Sequence, residues 1–404
     1  MARFGNPLIS LVLAGGLAGT PCANAGLTDA GARVVAKVRP VSADGAYGKL
    51  EKVAEFDGPT VTGVAVSREG RIFLSFPRWG DPLKYSVAEL RDGRLRAFPE
   101  GALQDDSRPP AERLVSIQSV VVDADNRLWI LDNGTIDQGE VLAGGAKLIA
   151  VDLATNQVIK TIPFPADVAT KDTYLNDIRF DLKLGTAGVG FVSDSSAKSG
   201  NGIIVVDLAT GQSFRRLTGH RSVRPDPEFR MIVEGRPLME EKVPGERKPF
   251  LTGSDGIAVS ADGDRFFYAP LSGRRLYSVD AGVLADHRRS EAEVEATVMD
   301  LGDKGTSCDG LETDDQDRLY ITSPEFDSIL RRRPDGQYEG VVHDPRLLWP
   351  DSMAISADGY LYFTVNQLER APRFHGGKDL RKKPWVLFRT PIDAGPSLLA
   401  QPRR

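Results

Sequence analysis

Four residues with oxygen-bearing side chains, Asn176, Asp255, Asp309 and Asp351, occupy one equivalent position in four consecutive copies of a repeated string. In each copy the polar residue stands just ahead of a short apolar run. The same position is held by Thr62 and Gln118 in the two earlier copies. A second set stands where the following segment ends: Arg78 and Trp79, then Asp132, Asp194, Pro270, Ser323 and Asn366. If the two segments of a copy run antiparallel, as in a hairpin, both sets meet at one end of the array. Carboxylates crowded there raise one another's pKa unless a cation or hydrogen-bond donors compensate. Calcium and magnesium take oxygen ligands of this kind, so Asn176, Asp255, Asp309 and Asp351 form a candidate site for calcium or another divalent cation. The same side chains can face an organic cation, or can cap strand starts by accepting backbone amides.

The candidate ligand-binding set is Arg78, Trp79, Gln118, Asp132, Asn176, Asp194, Asp255, Asp309, Asp351 and Asn366, with a small molecule as the expected partner and no catalytic group assigned. Phe76, Trp79 and Tyr174 can wall a ring-bearing ligand, although aromatic residues beside strands also serve packing. Other chemistries find little support. The four histidines, His220, His287, His343 and His375, have no metal-ligand spacing. The chain has no Gly-x-Ser-x-Gly elbow, Walker loop or dinucleotide fingerprint, so no nucleotide cofactor is expected. Cys308 stands beside Asp309, whose charge disfavours a thiolate.

The elements that position these residues are set by the repeat. Copies begin at Val61, Ile117, Leu175, Ser254, Cys308 and Pro350, and each reads as an apolar run, a turn built on Asp, Asn or Gly, and an aromatic-rich strand. Equivalent apolar positions, from Val64 to Met353, recur at intervals averaging about 58 residues, close to one four-stranded blade. Further hairpins follow in KLIAVDLATNQVIKTI and GIIVVDLATGQSFRRL. A twisted four-stranded sheet leaves two apolar faces and two open edges, and closing six in a ring buries them. The expected fold is all-β, a six-bladed β-propeller over residues 49–395, with a segment near Glu51 closing the ring. A β-sandwich or parallel β-helix does not predict this period. The long third interval, Thr210 to Gly253, reads as an excursion within a blade. Helical periodicity is confined to a short turn around Asp280 to Ala285.

The first 25 residues carry Arg3, an apolar run from Pro7 to Leu17 and Ala23-Asn24-Ala25, the layout of a cleaved export leader. The expected product starts near Gly26, is secreted or periplasmic, and has an N-terminal segment over 26–48, a tail over 396–404 and no membrane anchor. Cleavage removes Cys22 and leaves Cys308 unpaired, so stability rests on packing. The formal charge of −5 argues against a nucleic-acid surface. A monomer is expected.

Eight motifs resemble the yellow / major royal jelly protein family in order: FPRW at Phe76, LVSIQSVVVDADNRLWILDNG from Leu114, YLNDIRFD from Tyr174, GFVSDS from Gly190, RPDPEF from Arg224, SDGIAVS from Ser254, SCDGL from Ser307 and WPDSMAI from Trp349. The resemblance covers roughly Lys49 to Ile392. It implies a six-bladed propeller with a ligand pocket at the central channel; some members bind biogenic amines and some are linked to dopachrome conversion. The cysteine set common in arthropod members is reduced here to two residues. The NDI, SDGIAVSADG and CDGL strings also resemble, more weakly, the gluconolactonase-like propellers, which hold a divalent metal on the axis for lactone hydrolysis. Where those proteins supply a glutamate ligand, this chain has Thr62. The resemblance thus leaves three functions open: binding of a small cationic or aromatic ligand, metal-dependent enzymes of lactonase or dopachrome-tautomerase type, and an interaction scaffold.

Overall fold

The repeated strings become the two inner strands of six four-stranded antiparallel sheets. The computed structural model of the chain describes residues 45–197 and 200–400. Blade one comprises Val64–Val66, Ile72–Ser75, Val87–Arg91 and Arg94–Ala97. Blade two comprises Ile117–Val122, Arg127–Asp132, Lys147–Asp152 and Gln157–Pro163, and blade three Leu175–Asp181, Val189–Asp194, Gly202–Asp207 and Ser213–Arg216. Blade four comprises Ser254–Val259, Arg265–Pro270, Arg275–Asp280 and Met299–Asp303, and blade five Leu311–Thr313, Leu319–Ser323, Ser328–Arg332 and Tyr338–His343. Blade six runs Pro350–Ile355, Tyr360–Val365 and Trp385–Pro391, then takes its outer strand, Glu51–Phe56, from the other end of the chain. Innermost strands of successive blades touch all round the ring.

Burial explains the sequence pattern. Inner strands such as Val189–Asp194 and Ser254–Val259 are buried along their whole length, because both faces meet a neighbouring blade. They therefore read as continuous apolar runs, not as alternation. Outer strands such as Gln157–Pro163 are largely exposed. The inner-hairpin turns place Asn126 and Asp317 at φ of 61° and 57°, a left-handed region that short polar side chains tolerate. Ring closure joins Glu51 opposite Arg389 and Phe56 opposite Trp385, with an Arg389–Glu51 ion pair at 2.9 Å.

Two excursions depart from this plan. The long third interval lies between blades three and four, not within a blade, and forms two ribbons, Ile232–Val233 with Arg236–Pro237 and Met239–Glu240 with Lys248–Pro249. The second, residues 366–384, joins two strands of blade six through the 3-10 turns Leu368–Arg370 and Pro372–Phe374. Met231, Val233, Leu238 and Phe250 of the first pack with Leu368, Ala371 and Phe374 of the second and with Trp349. The Glu241 amide donates to the Arg373 carbonyl at 2.7 Å, and the Gly376 amide to the Glu241 carbonyl at 2.7 Å. Together they form one cap.

The turn expected near Asp280 is a short helix, Ala281–Ala285, whose N-cap Asp280 accepts from the Val283 amide at 2.8 Å. A second helix, Glu291–Glu295, opens on a Ser290–Glu293 capping box that the sequence displays openly. Beyond the last strand the chain is held in place: Pro396 bridges Asp314, and Leu399 accepts from the Leu182 amide at 2.9 Å. Residues 396–399 line a cavity of about 90 Å³ at the ends of the inner strands opposite the acidic set. The expected leader, its cleavage site and Cys22 lie outside the described residues. No helix among the described residues is long and apolar enough to cross a membrane.

Candidate functional site

The inner strands reach the acidic end of the channel through irregular pairing. Register shifts fall between Ile117 and Ser119, Leu175 and Ile178, Ser254 and Ile257, and Pro350 and Met353. Gln118, Asn176, Asp255 and Asp351 thus sit in bulges, which take residues out of the ladder and re-aim their side chains. Hydroxyls on the second strand take up the released amides: Ser75 accepts from Gly63 N at 2.9 Å, Ser193 from Asp177 N at 3.2 Å, Thr322 from Gly310 N at 2.8 Å and Thr364 from Ser352 N at 3.3 Å. The glycine after each aspartate in Asp-Gly lets the next blade approach. A Cβ on Gly256 would stand 2.8 Å from the Asp309 carbonyl oxygen, and one on Gly310 only 2.2 Å from that of Asp351.

This backbone gathers three carboxyl groups in a buried floor. Asp255, Asp309 and Asp351 are 3%, 9% and 6% exposed, too little for water alone to support three charges. Asn176 Nδ2 contacts Asp255 Oδ1, and the Asp309 charge acts directly on the Asp255 carboxyl. Trp349 Nε1 donates to Asp309 Oδ2 at 2.5 Å, and Asn366 Nδ2 to Asp351 Oδ2 at 2.6 Å. Burial pushes Asp309 up to about 6, offset in part by the hydrogen bond from Trp349. Burial and the Asp309 charge hold Asp255 and Asp351 well above the usual carboxylate range. Behind the floor Asp177, a residue the sequence reading did not single out, is neutralised by Arg179 at 2.7 Å and accepts from Ser119 Oγ at 2.7 Å.

Above the floor lies a cavity of about 260 Å³. One wall is a hydrogen-bonded chain in which Trp79 Nε1 donates to Tyr174 Oη at 2.9 Å and Tyr174 Oη to Gln118 Oε1 at 3.0 Å. Phe250 and Leu368 add apolar surface, and Arg373 reaches the cavity from the blade-six excursion. Sequence reasoning missed Phe250 and Arg373 because both lie in irregular segments outside the repeat.

Of the expected set, Trp79, Gln118, Asn176, Asp255, Asp309 and Asp351 line this cavity together. Arg78, Asp132, Asp194 and Asn366 are not among its lining residues. Asp132 accepts from the amides of Val115 at 2.8 Å and Ser116 at 3.0 Å, and pairs with Lys147 at 2.8 Å. Asp194 likewise accepts from Tyr174 N at 3.0 Å and pairs with Arg215 at 2.6 Å. A carboxylate at the end of the second strand faces the loop entering the first, so these two clamp that loop. Arg78 pairs with Asp106 at 2.6 Å, while Asn366 acts through Asp351. Of the two expected sets of acids, only the first-strand aspartates line the mouth, with Asp172 and Glu240 of irregular segments beside them. Burial pushes the Cys308 thiol up to about 12.

A divalent cation fits this donor set in part. Among the described residues no three His, Cys, Asp or Glu side chains form a metal-binding group. A cation here would rest on the Asp255–Asp309 pair, with the Asn176 amide oxygen after a half-turn of that amide; Asp351 would act through its charge. Thr62, which donates to the Gln118 carbonyl at 2.9 Å, adds no charged donor.

Comparison with known proteins agrees with this architecture. The family model of the major royal jelly proteins matches residues 115–380. Major royal jelly protein 1 of Apis mellifera is 28% identical over 221 residues, 52% of this chain and 48% of that protein. Protein yellow of Drosophila subobscura is 26% identical over 237 residues, 55% of this chain and 39% of that protein. The matched stretch thus spans about half or less of the length of these relatives. Among solved structures, the calcium-binding protein regucalcin of Agrobacterium tumefaciens superposes with a TM-score of 0.52 at 13% identity, covering 87% of this chain and 98% of that one. A gluconolactonase of Xanthomonas campestris gives 0.51 at 13% identity, over 85% and 89%. Identities this low establish the shared propeller fold and nothing finer. With the family model matched over well more than half of its length and the blades in place, this chain belongs to the major royal jelly protein family.

Proposed function

We propose that this protein binds a small organic cation carrying an aromatic or apolar group in the channel-mouth cavity. The observation that carries the reading is the floor of three buried carboxyl groups, Asp255, Asp309 and Asp351, facing a cavity walled by Trp79, Tyr174 and Phe250. A desolvated acid cluster favours a bound positive charge over water, and aromatic faces attract cations and pack rings. Calorimetric titration with a panel of aromatic amines tests it. Binding that disappears in Asp309→Asn supports the reading; no heat from any amine at millimolar concentration overturns it. The leader-like first 25 residues support export, which N-terminal sequencing of the protein recovered from its native host decides.

A second reading is a divalent cation at Asn176, Asp255, Asp309 and Asp351, favoured by an oxygen-rich floor in which the Asp255 and Asp309 charges oppose each other, a repulsion that a metal would relieve. Bound there, a metal would polarise a carbonyl and activate water, the chemistry a lactone hydrolase needs. Elemental analysis of protein purified without chelator separates the two: a stoichiometric metal supports the second reading, and full amine binding after chelation supports the first.

A further inference from the structure

The cavity carries charge of both signs. Asp255, Asp309 and Asp351 of its floor come from the blades and Asp172 from the loop before blade three, whereas Arg373, Lys242, Lys248 and Glu240 come from the two excursions that form the cap. Lys248 is paired with Glu240 at 3.1 Å and stands largely in solvent. Arg373 is placed differently. Its guanidinium lies 5.0 Å from the Phe250 ring centre and 4.7 Å from that of Phe374. Nη1 donates to Gln138 Oε1 at 2.5 Å, while the buried Nε has no hydrogen-bond partner. Among the described residues Arg373 forms no ion pair, and Glu240, the carboxylate that acts on it most strongly, is held by Lys248. A desolvated guanidinium with N–H groups to spare is costly alone. Its planar fork matches a carboxylate.

We propose that Arg373 reads a carboxylate on the ligand, so that the cavity takes a small ampholyte. The ammonium end meets the floor of Asp255, Asp309 and Asp351, and the carboxylate end meets the guanidinium under the cap. This rests on the reading of the cavity as a cation site and names the class of molecule it selects. The cavity of about 260 Å³ equals roughly nine waters' share of liquid volume, room for a molecule the size of an aromatic amino acid.

The test is calorimetry on the full chain with matched pairs differing by one carboxylate: tyramine against tyrosine, and benzylamine against 4-(aminomethyl)benzoate. The two pairs place the carboxylate at different distances from the ammonium. In at least one pair the carboxylate-bearing member binds about tenfold or more tightly. Arg373→Gln brings that ratio to about one and strengthens the bare amine, because an opposing charge is gone. Arg373→Lys, which keeps the charge without the fork, retains part of the ratio. Equal affinities within both pairs, or tighter binding of both bare amines, overturns the inference while leaving the cation site standing. Arg373→Gln weakening both members alike also overturns it, since that is what a merely structural role predicts. If neither member of either pair binds, the cation reading itself falls and the ampholyte falls with it.

Discussion

Trp349 Nε1 donates to Asp309 Oδ2 at 2.5 Å, tying the loop that enters blade six to the floor residue of blade five. Trp349 is fully buried and holds a φ of 59°, a backbone conformation that costs a residue without glycine's freedom about 1 kcal/mol or more. Packing against Phe250, Leu368 and Phe374 keeps it there. The indole is therefore the link between the cap and the charge of the floor.

Trp349→Phe keeps the ring and deletes the donor. A hydrogen bond to a charged acceptor contributes about 1.5–3 kcal/mol, so Asp309 titrates roughly one unit higher or more in the variant. Amine affinity at pH 7 falls about twofold for a one-unit shift and about tenfold for two, and the midpoint of its pH profile moves upward; calorimetry across pH measures both.

Binding of a permanently charged quaternary amine strengthens as pH rises. Asp309, pushed by burial to about 6, is mostly protonated at pH 5 and mostly charged at pH 8, so affinity drops about tenfold or more on going from pH 8 to pH 5. Asp255 and Asp351 are shifted in the same direction, which steepens the profile. A flat profile over that range contradicts the floor as the cation's counter-charge.

Asp309→Asn stabilises the ligand-free protein at pH 8 while abolishing cation binding. The folded pKa of about 6 lies above the ordinary 3.8, so the folded state holds the proton more tightly than the unfolded chain does. The resulting stabilisation is complete below about 4 and is lost as pH rises through 6. An amide accepts the Trp349 bond without carrying charge, and the expected gain at pH 8 is about 1–3 kcal/mol. Urea melts of both proteins at pH 5 and pH 8 should show the gap opening at the higher pH.

Gly310→Ala disrupts the contact between blades five and six. The added Cβ would stand 2.2 Å from the Asp351 carbonyl oxygen, so backbone must move, at about 1–3 kcal/mol or more. Gly93→Ala, at a turn where nothing lies within 4 Å of the added carbon, costs about 1 kcal/mol through its positive φ. Thermal unfolding of the two variants ranks them in that order.

What the sequence could determine was local and periodic. A hairpin string recurring about every 58 residues specifies strands, blade number and the residue that starts each inner strand, because those depend on side-chain patterning within some twenty residues. Asn176, Asp255, Asp309 and Asp351 were legible for that reason, and all four line one cavity. Asp132 and Asp194 stand at equally regular positions, yet the bulges aim the first-strand residues into the channel and leave the second-strand carboxylates to the entering loops. That choice is made by sheet register, which a string of residues does not display. Arg373 bonded to Gln138 and Trp79 bonded to Tyr174 join irregular segments 235 and 95 residues apart. Only closure of the ring and folding of the two excursions over it bring such groups together, since irregular chain takes its conformation from what it packs against.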